Sequence, residues 1–167
     1  MPRRREAGYR SPVDARFPEI VFDAFPTATF VADPDLRVAH LNAAARTLVG
    51  APCLPGERVG DLLGCALAAE AGCGAAVGCA VCPLRAAASE ALASGGAVRR
   101  RVVLDIAVAG GPEPVPLLVG AAPAGPGSGL VVLALEDVTE LTALRALWSS
   151  MCTGAVRLRP AAPSPRR

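Results

Sequence analysis

Apolar residues recur at helical spacing from Phe17 to Phe25, with Phe17, Ile20, Val21 and Ala24 on one stripe, and Pro26 ends the run. Ala28 to Ala32 reads as a first strand, and Asp33-Pro34-Asp35 as a turn with proline at its second position. Arg37 to Leu41 then alternates, Val38 and His40 on one side and Arg37, Ala39 and Leu41 on the other, which predicts a second strand. Asn42 is placed to cap a helix running through Ala43, Leu48 and Val49, which Gly50 stops. From Val59 to Glu70 the pattern gives short helical pieces, and glycines at 72, 74 and 78 break the chain beyond them. Leu84 to Ser94 is a longer helix, with Pro83 in its first turn and Gly95-Gly96 past its end.

Three strands follow. Val98 to Ala109 puts Val102, Leu104, Ile106 and Val108 on one face; Val115 to Ala122 and Leu130 to Leu135 come next. Gly110-Gly111-Pro112 and Pro123 to Gly129 are the connecting turns. Asp137-Val138-Thr139-Glu140 opens a last helix, with Leu141, Leu144, Leu147, Trp148 and Met151 on a stripe. The order is helix, two strands, several helices, three antiparallel strands, helix. It predicts an α+β fold, a five-stranded antiparallel sheet with helices over one face and flanking helices at both ends.

Length and charge bound this picture. At 167 residues, 52% hydrophobic and 19% charged, the chain is expected to be one folded domain, too short for a sensor joined to a full catalytic domain. No run reaches roughly 18 uncharged apolar residues, so no spanning helix is expected. The basic start, Met1 to Arg10, is not followed by an apolar run and cleavage site, which gives a cytoplasmic expectation with no membrane partner. The net charge of +2 is unevenly spread. Residues 1–16 and 153–167 hold nine arginines against two acids, and residues 17–152 hold eight against thirteen. The domain is therefore assigned to 17–152, between a basic N-terminal tail (1–16) and a basic, Pro-rich C-terminal tail (153–167). All seventeen basic residues are arginine, a compositional bias that weighs against reading the tails as a nucleic-acid surface.

The chemistry is concentrated in Cys65, Cys73, Cys79 and Cys82. The Cys79-x-x-Cys82 spacing suits zinc or an iron–sulfur cluster, since two thiolates on one turn can reach one centre. Pro83 after Cys82 echoes the ending of ferredoxin runs, although the longer gaps do not match them. The N–H groups opening the Leu84 helix favour anionic sulfur. Three readings stay open: a four-cysteine zinc or iron–sulfur site, reversible disulfides such as Cys65 with Cys73 or Cys79 with Cys82, or small buried side chains with no ligand. Cys53 is read as structural. His40, in a strand, is a poor metal or haem ligand. Asp33 and Asp35 need no role beyond the turn, and Arg99-Arg100-Arg101 reads as a solvated edge. Trp148 reads as helix packing. Leu62, Leu67, Leu84, Val102, Leu104, Leu118 and Val132 are expected to line the space between sheet and helices, as pocket or as filled core.

Several signatures together resemble a PAS domain over roughly residues 17–151. Pro26-Thr-Ala-Thr-Phe-Val-Ala-Asp33, with Val38 and Asn42-Ala-Ala-Ala, is similar to the first two strands and following helix of that family. Gly127 to Glu140 is similar to its last strand running into an Asp-x-Thr junction, here Asp137 and Thr139, that precedes an output helix. The cysteine segment resembles that of a PAS subfamily found in bacterial sensor proteins. Members of that subfamily continue with a second Cys-x-x-Cys, whereas Cys152 is followed by Ala155 here, which counts against a tail metal site. The resemblance implies a single-domain sensory or signal-transduction protein and not an enzyme. It implies input at the four cysteines through a redox or metal site, and homodimerisation through the flanking helices, with a signalling partner possible. A ligand-free interaction module and a small thiol oxidoreductase using Cys79 and Cys82 are the alternatives, though the strand–helix order is not thioredoxin-like.

Overall fold

A computed structural model of the chain describes residues 17–50 and 56–154. The tail assigned to 1–16, residues 155–167 of the tail assigned to 153–167, and Cys53 lie outside the described residues. Five strands form one antiparallel sheet: β1 (Ala28–Ala32), β2 (Val38–Leu41), β3 (Val98–Val108), β4 (Gly111–Pro123) and β5 (Val131–Asp137). Their spatial order is β2-β1-β5-β4-β3, so the N-terminal hairpin is joined to the C-terminal meander by β1 pairing with β5. The helices are α1 (Phe17–Ala24), α2 (Ala43–Val49), α3 (Val59–Leu62), α4 (Ala66–Ala71), α5 (Pro83–Ser94) and α6 (Thr139–Gly154), with a 3-10 turn at Val77–Val81 before α5. The α+β architecture anticipated from the pattern is the observed one.

Alternation in the strands decides where the core sits. Phe30, Leu133, Val131 and Val119 are fully buried, and with Val102 and Leu104 they form the sheet face covered by the middle helices. Leu84, Ala87, Ala88 and Ala91 give α5 a flat, small-residue stripe that lets it lie close against this face. Leu118 and Val132 carry the opposite parity and point to the other face, where they line a shallow cavity of about 430 Å³ with Phe22 and Phe25. Their expected place with Leu84, Val102 and Leu104 is therefore corrected: period 2 puts Leu117 and Val131, not Leu118 and Val132, on the core side.

The β3–β4 hairpin extends further than the sequence pattern suggests. Pro112, Pro114 and Pro116 sit inside β4, opposite Ala107, Asp105 and Val103. The Pro116 carbonyl accepts from Val138 N at 2.9 Å, so these three residues direct their backbone polar groups away from β3. On that side β5 has ended, its Asp137 standing opposite Leu117, and the missing proline N–H groups cost no ladder bond.

Two buried residues, one polar and one apolar, fix the N-terminal half. Asn42 is fully buried; its Oδ1 accepts from Ala45 N (2.9 Å) and Thr29 N (3.0 Å), and its Nδ2 donates to the Phe25 (3.1 Å) and Thr27 (3.0 Å) carbonyls. One side chain thus caps α2 and ties it to β1 and to the end of the α1 segment. Leu36, buried in the turn after Pro34, holds φ at 63°, a left-handed conformation rarely adopted by a branched aliphatic residue. Among the described residues no helix is long and apolar enough to cross a membrane.

Candidate functional site

The helical segment between the two halves of the sheet carries all four clustered cysteines. Cys65 precedes α4, Cys73 lies between Gly72 and Gly74, Cys79 is in the 3-10 turn, and Cys82 precedes α5. A chain folded this way brings residues 17 positions apart to one place. All four line a single enclosed cavity of about 60 Å³, whose apolar wall includes Leu36, Leu67, Leu84 and Leu104. Each is a free thiol and partly buried. A volume of that size admits about four water-sized atoms, more than one ion needs.

Backbone contacts hold each position. Cys65 N donates to the Gly60 carbonyl (2.9 Å), and Cys65 forms a bridge with Ile106 on β3, supported by Ala107 N to the Gly64 carbonyl at 2.7 Å. Cys82 N donates to the Cys79 carbonyl at 3.3 Å, and the Cys82 carbonyl accepts from Ala86 N (2.9 Å) in the first turn of α5. Cys73 is gripped from α3: its N–H donates to Asp61 Oδ1 (2.8 Å), and its carbonyl accepts a close hydrogen bond from Arg58 Nη1. Gly60 lies directly against it, for a Cβ built there would stand 2.6 Å from Cys73 Sγ.

Burial pushes the Cys73 thiol above its ordinary pKa, with a backbone hydrogen bond at Gly60 acting against this; the charges of Asp61 and Cys82 add to the rise and that of Arg58 opposes it. Among the described residues no three His, Cys, Asp or Glu side chains converge closely enough to hold a single metal ion. Four cysteines are a donor set that both zinc and iron–sulfur clusters take.

The other expected site residues are dispersed. Leu84, Val102 and Leu104 are core, and Leu67 belongs to the cysteine cavity. Leu62 lines a separate cavity of about 800 Å³ between α2, α3 and the sheet. Asp137 Oδ1 accepts from both Thr139 N (2.8 Å) and Thr139 Oγ1 (2.6 Å), so the pair brackets the first turn of α6. His40 is exposed on β2, and β3 with its three arginines is an edge strand. Asp35 does have a partner that the sequence did not suggest: Arg85, which also lines the cysteine cavity, at 3.0 Å. Arg58, Gly60 and Asp61 were equally invisible as site residues, because nothing in their spacing shows that α3 folds back onto Cys73.

No protein-family model matches the chain, and no curated protein matches it. Solved structures do. An RNA-binding Light-Oxygen-Voltage receptor superposes with a TM-score of 0.55 and 21% identity, over 92% of this chain and 41% of that one. The PAS domain of BvgS from Bordetella pertussis superposes with a TM-score of 0.50 and 17% identity, over 83% of this chain and 96% of that domain. At these identities the likeness is one of fold: the sheet and its helices are PAS-like. The chain spans less than half the length of the first of these structures.

Proposed function

We propose that this chain is a PAS-type sensory module, not an enzyme, whose input is an iron–sulfur cluster held by Cys65, Cys73, Cys79 and Cys82. The observation that carries the reading is that one small enclosed cavity is lined by all four free thiols. Iron–sulfur is placed ahead of zinc because a sensory fold gains from a redox-active centre. When bound, such a cluster would supply one-electron redox chemistry or sensitivity to oxygen. The chain's own residues supply ligands, an apolar wall and a route outward.

That route is a continuous set of backbone contacts. Cys65 bridges Ile106 on β3; Val103 of β3 pairs with Pro116 of β4; the Pro116 carbonyl holds Val138 N at the entrance to α6. The Asp137–Thr139 bracket makes this entrance stiff, so a shift of β3 against β4 would turn the helix rather than bend it.

The output is dimerisation through α6. Leu141, Leu144, Trp148 and Met151 follow a 3-4-3 spacing and are all exposed in the single chain, Trp148 by 68%. They fit positions a and d of a two-heptad coiled coil. Glu140 then falls at g and Arg145 at the e position five residues on, the pair that faces across a parallel, in-register dimer. Neither makes an ion pair among the described residues. A second copy of this chain is thus the partner that complements the helix in shape and charge. Iron and acid-labile sulfide determination on anaerobically purified protein tests the input. Both elements at cluster stoichiometry, lost in Cys73→Ser, support it; a metal-free or zinc-only protein contradicts it.

A further inference from the structure

We infer that Arg58 and Asp61 are positioning residues that clamp the Cys73 peptide from both ends and so fix its thiol as a ligand facing the cavity. The inference rests on the cluster reading above and adds the residues that make Cys73 available to it. Cys73 lies in a glycine-flanked stretch, with φ of 86° at both Gly72 and Gly74, and no helix of its own holds it. Left to itself such a stretch would sample many orientations. Two contacts from one turn of α3 remove that freedom: Asp61 Oδ1 takes the Cys73 N–H at 2.8 Å, and Arg58 Nη1 takes its carbonyl.

Gly60, one of the two residues between Arg58 and Asp61, completes the arrangement. Gly60 is buried, and its missing side chain leaves the space that Cys73 Sγ occupies. Gly74 plays the matching part on the far side. A Cβ there would stand 2.6 Å from Arg58 Nη1 and 2.8 Å from Arg85 Nη2, so a side chain at this position would press on the Arg58 guanidinium where it meets the Cys73 carbonyl. The two ends of the clamp differ in charge. Arg58 stabilises negative sulfur, whereas Asp61 opposes it and is tolerated for its hydrogen bond. Contacts of this kind around a metal ligand are typically worth about 10–100-fold in metal affinity.

The test follows each thiol by mass spectrometry during alkylation of the metal-free protein, and measures iron–sulfur occupancy after reconstitution. Arg58→Ala and Asp61→Ala should each raise the alkylation rate of Cys73 about tenfold while leaving that of Cys82 unchanged, and should lower occupancy severalfold. Arg58→Lys should recover part of both. Asp61→Asn, which keeps the acceptor oxygen and removes only the charge that opposes thiolate, should raise the Cys73 rate by less than Asp61→Ala does. Should either alanine variant not fold, the other carries the same test from the opposite end of the peptide. Wild-type Cys73 rates in both alanine variants would overturn the clamp. Altered Cys73 rates in a protein that never takes up iron would leave the clamp standing and overturn the cluster.

Discussion

A single residue carries one of the fold's tightest constraints. Asn42 uses all four of its hydrogen-bonding positions while fully buried. Asn42→Ala should therefore cost about 3 kcal/mol, leaving two donors and two acceptors without their partner. In a urea titration this is a shift of about 1.5 M for a slope near 2 kcal/mol/M. Gly60→Ala should behave in the opposite way. The atom displaced is the end of the Cys73 side chain, which can rotate aside, so the urea midpoint should move little while iron occupancy falls roughly tenfold. The role of Asn42 as a cap was readable from the sequence, because a short polar residue before an alanine run has few other uses. Its grip on Phe25 and Thr27 was not, since those contacts exist only after β1 is placed. The four cysteines were legible in the sequence, whereas Arg58 and Asp61, which hydrogen-bond the backbone of Cys73, come from a different helical segment.

Among elements, the strands were the clearest in the sequence, because alternation and turn chemistry agree there. β1 matches residue for residue, and β4 was foreshortened only because three prolines conceal a strand whose second edge is open at that end. The face of β4 and β5 that meets the core was misplaced by one residue: in Leu117-Leu118-Val119 and Val131-Val132-Leu133 both parities are apolar, so alternation alone does not choose. At α6 the stripe was legible, but not whether it packs inward; the structure leaves it exposed. If α6 pairs with a second copy in parallel, Arg145→Glu sets like charges opposite each other twice per dimer and should weaken association about tenfold. Adding Glu140→Arg should restore it, as read by sedimentation equilibrium. Recovery would not be expected if the helix packs antiparallel or against another partner.

In the whole molecule, the cysteine cavity and the last helix join different strands of one sheet. The cysteine cavity touches β3, the edge strand, and α6 leaves from the junction of β4 and β5, so under the proposed function a rearrangement at the thiols would have a path through paired strands to the helix. The cavity is small and enclosed, which suits a centre that reports by changing shape more than by turning over substrate. Anaerobic sedimentation velocity tests this claim most directly when it is recorded in the protein band and in the visible cluster band, before and after exposure to oxygen. The account predicts that visible absorbance sediments with a dimer, and that oxygen bleaches it and changes the sedimentation coefficient together. A colourless protein, or a coloured one whose sedimentation is unaltered when the colour is lost, would contradict it.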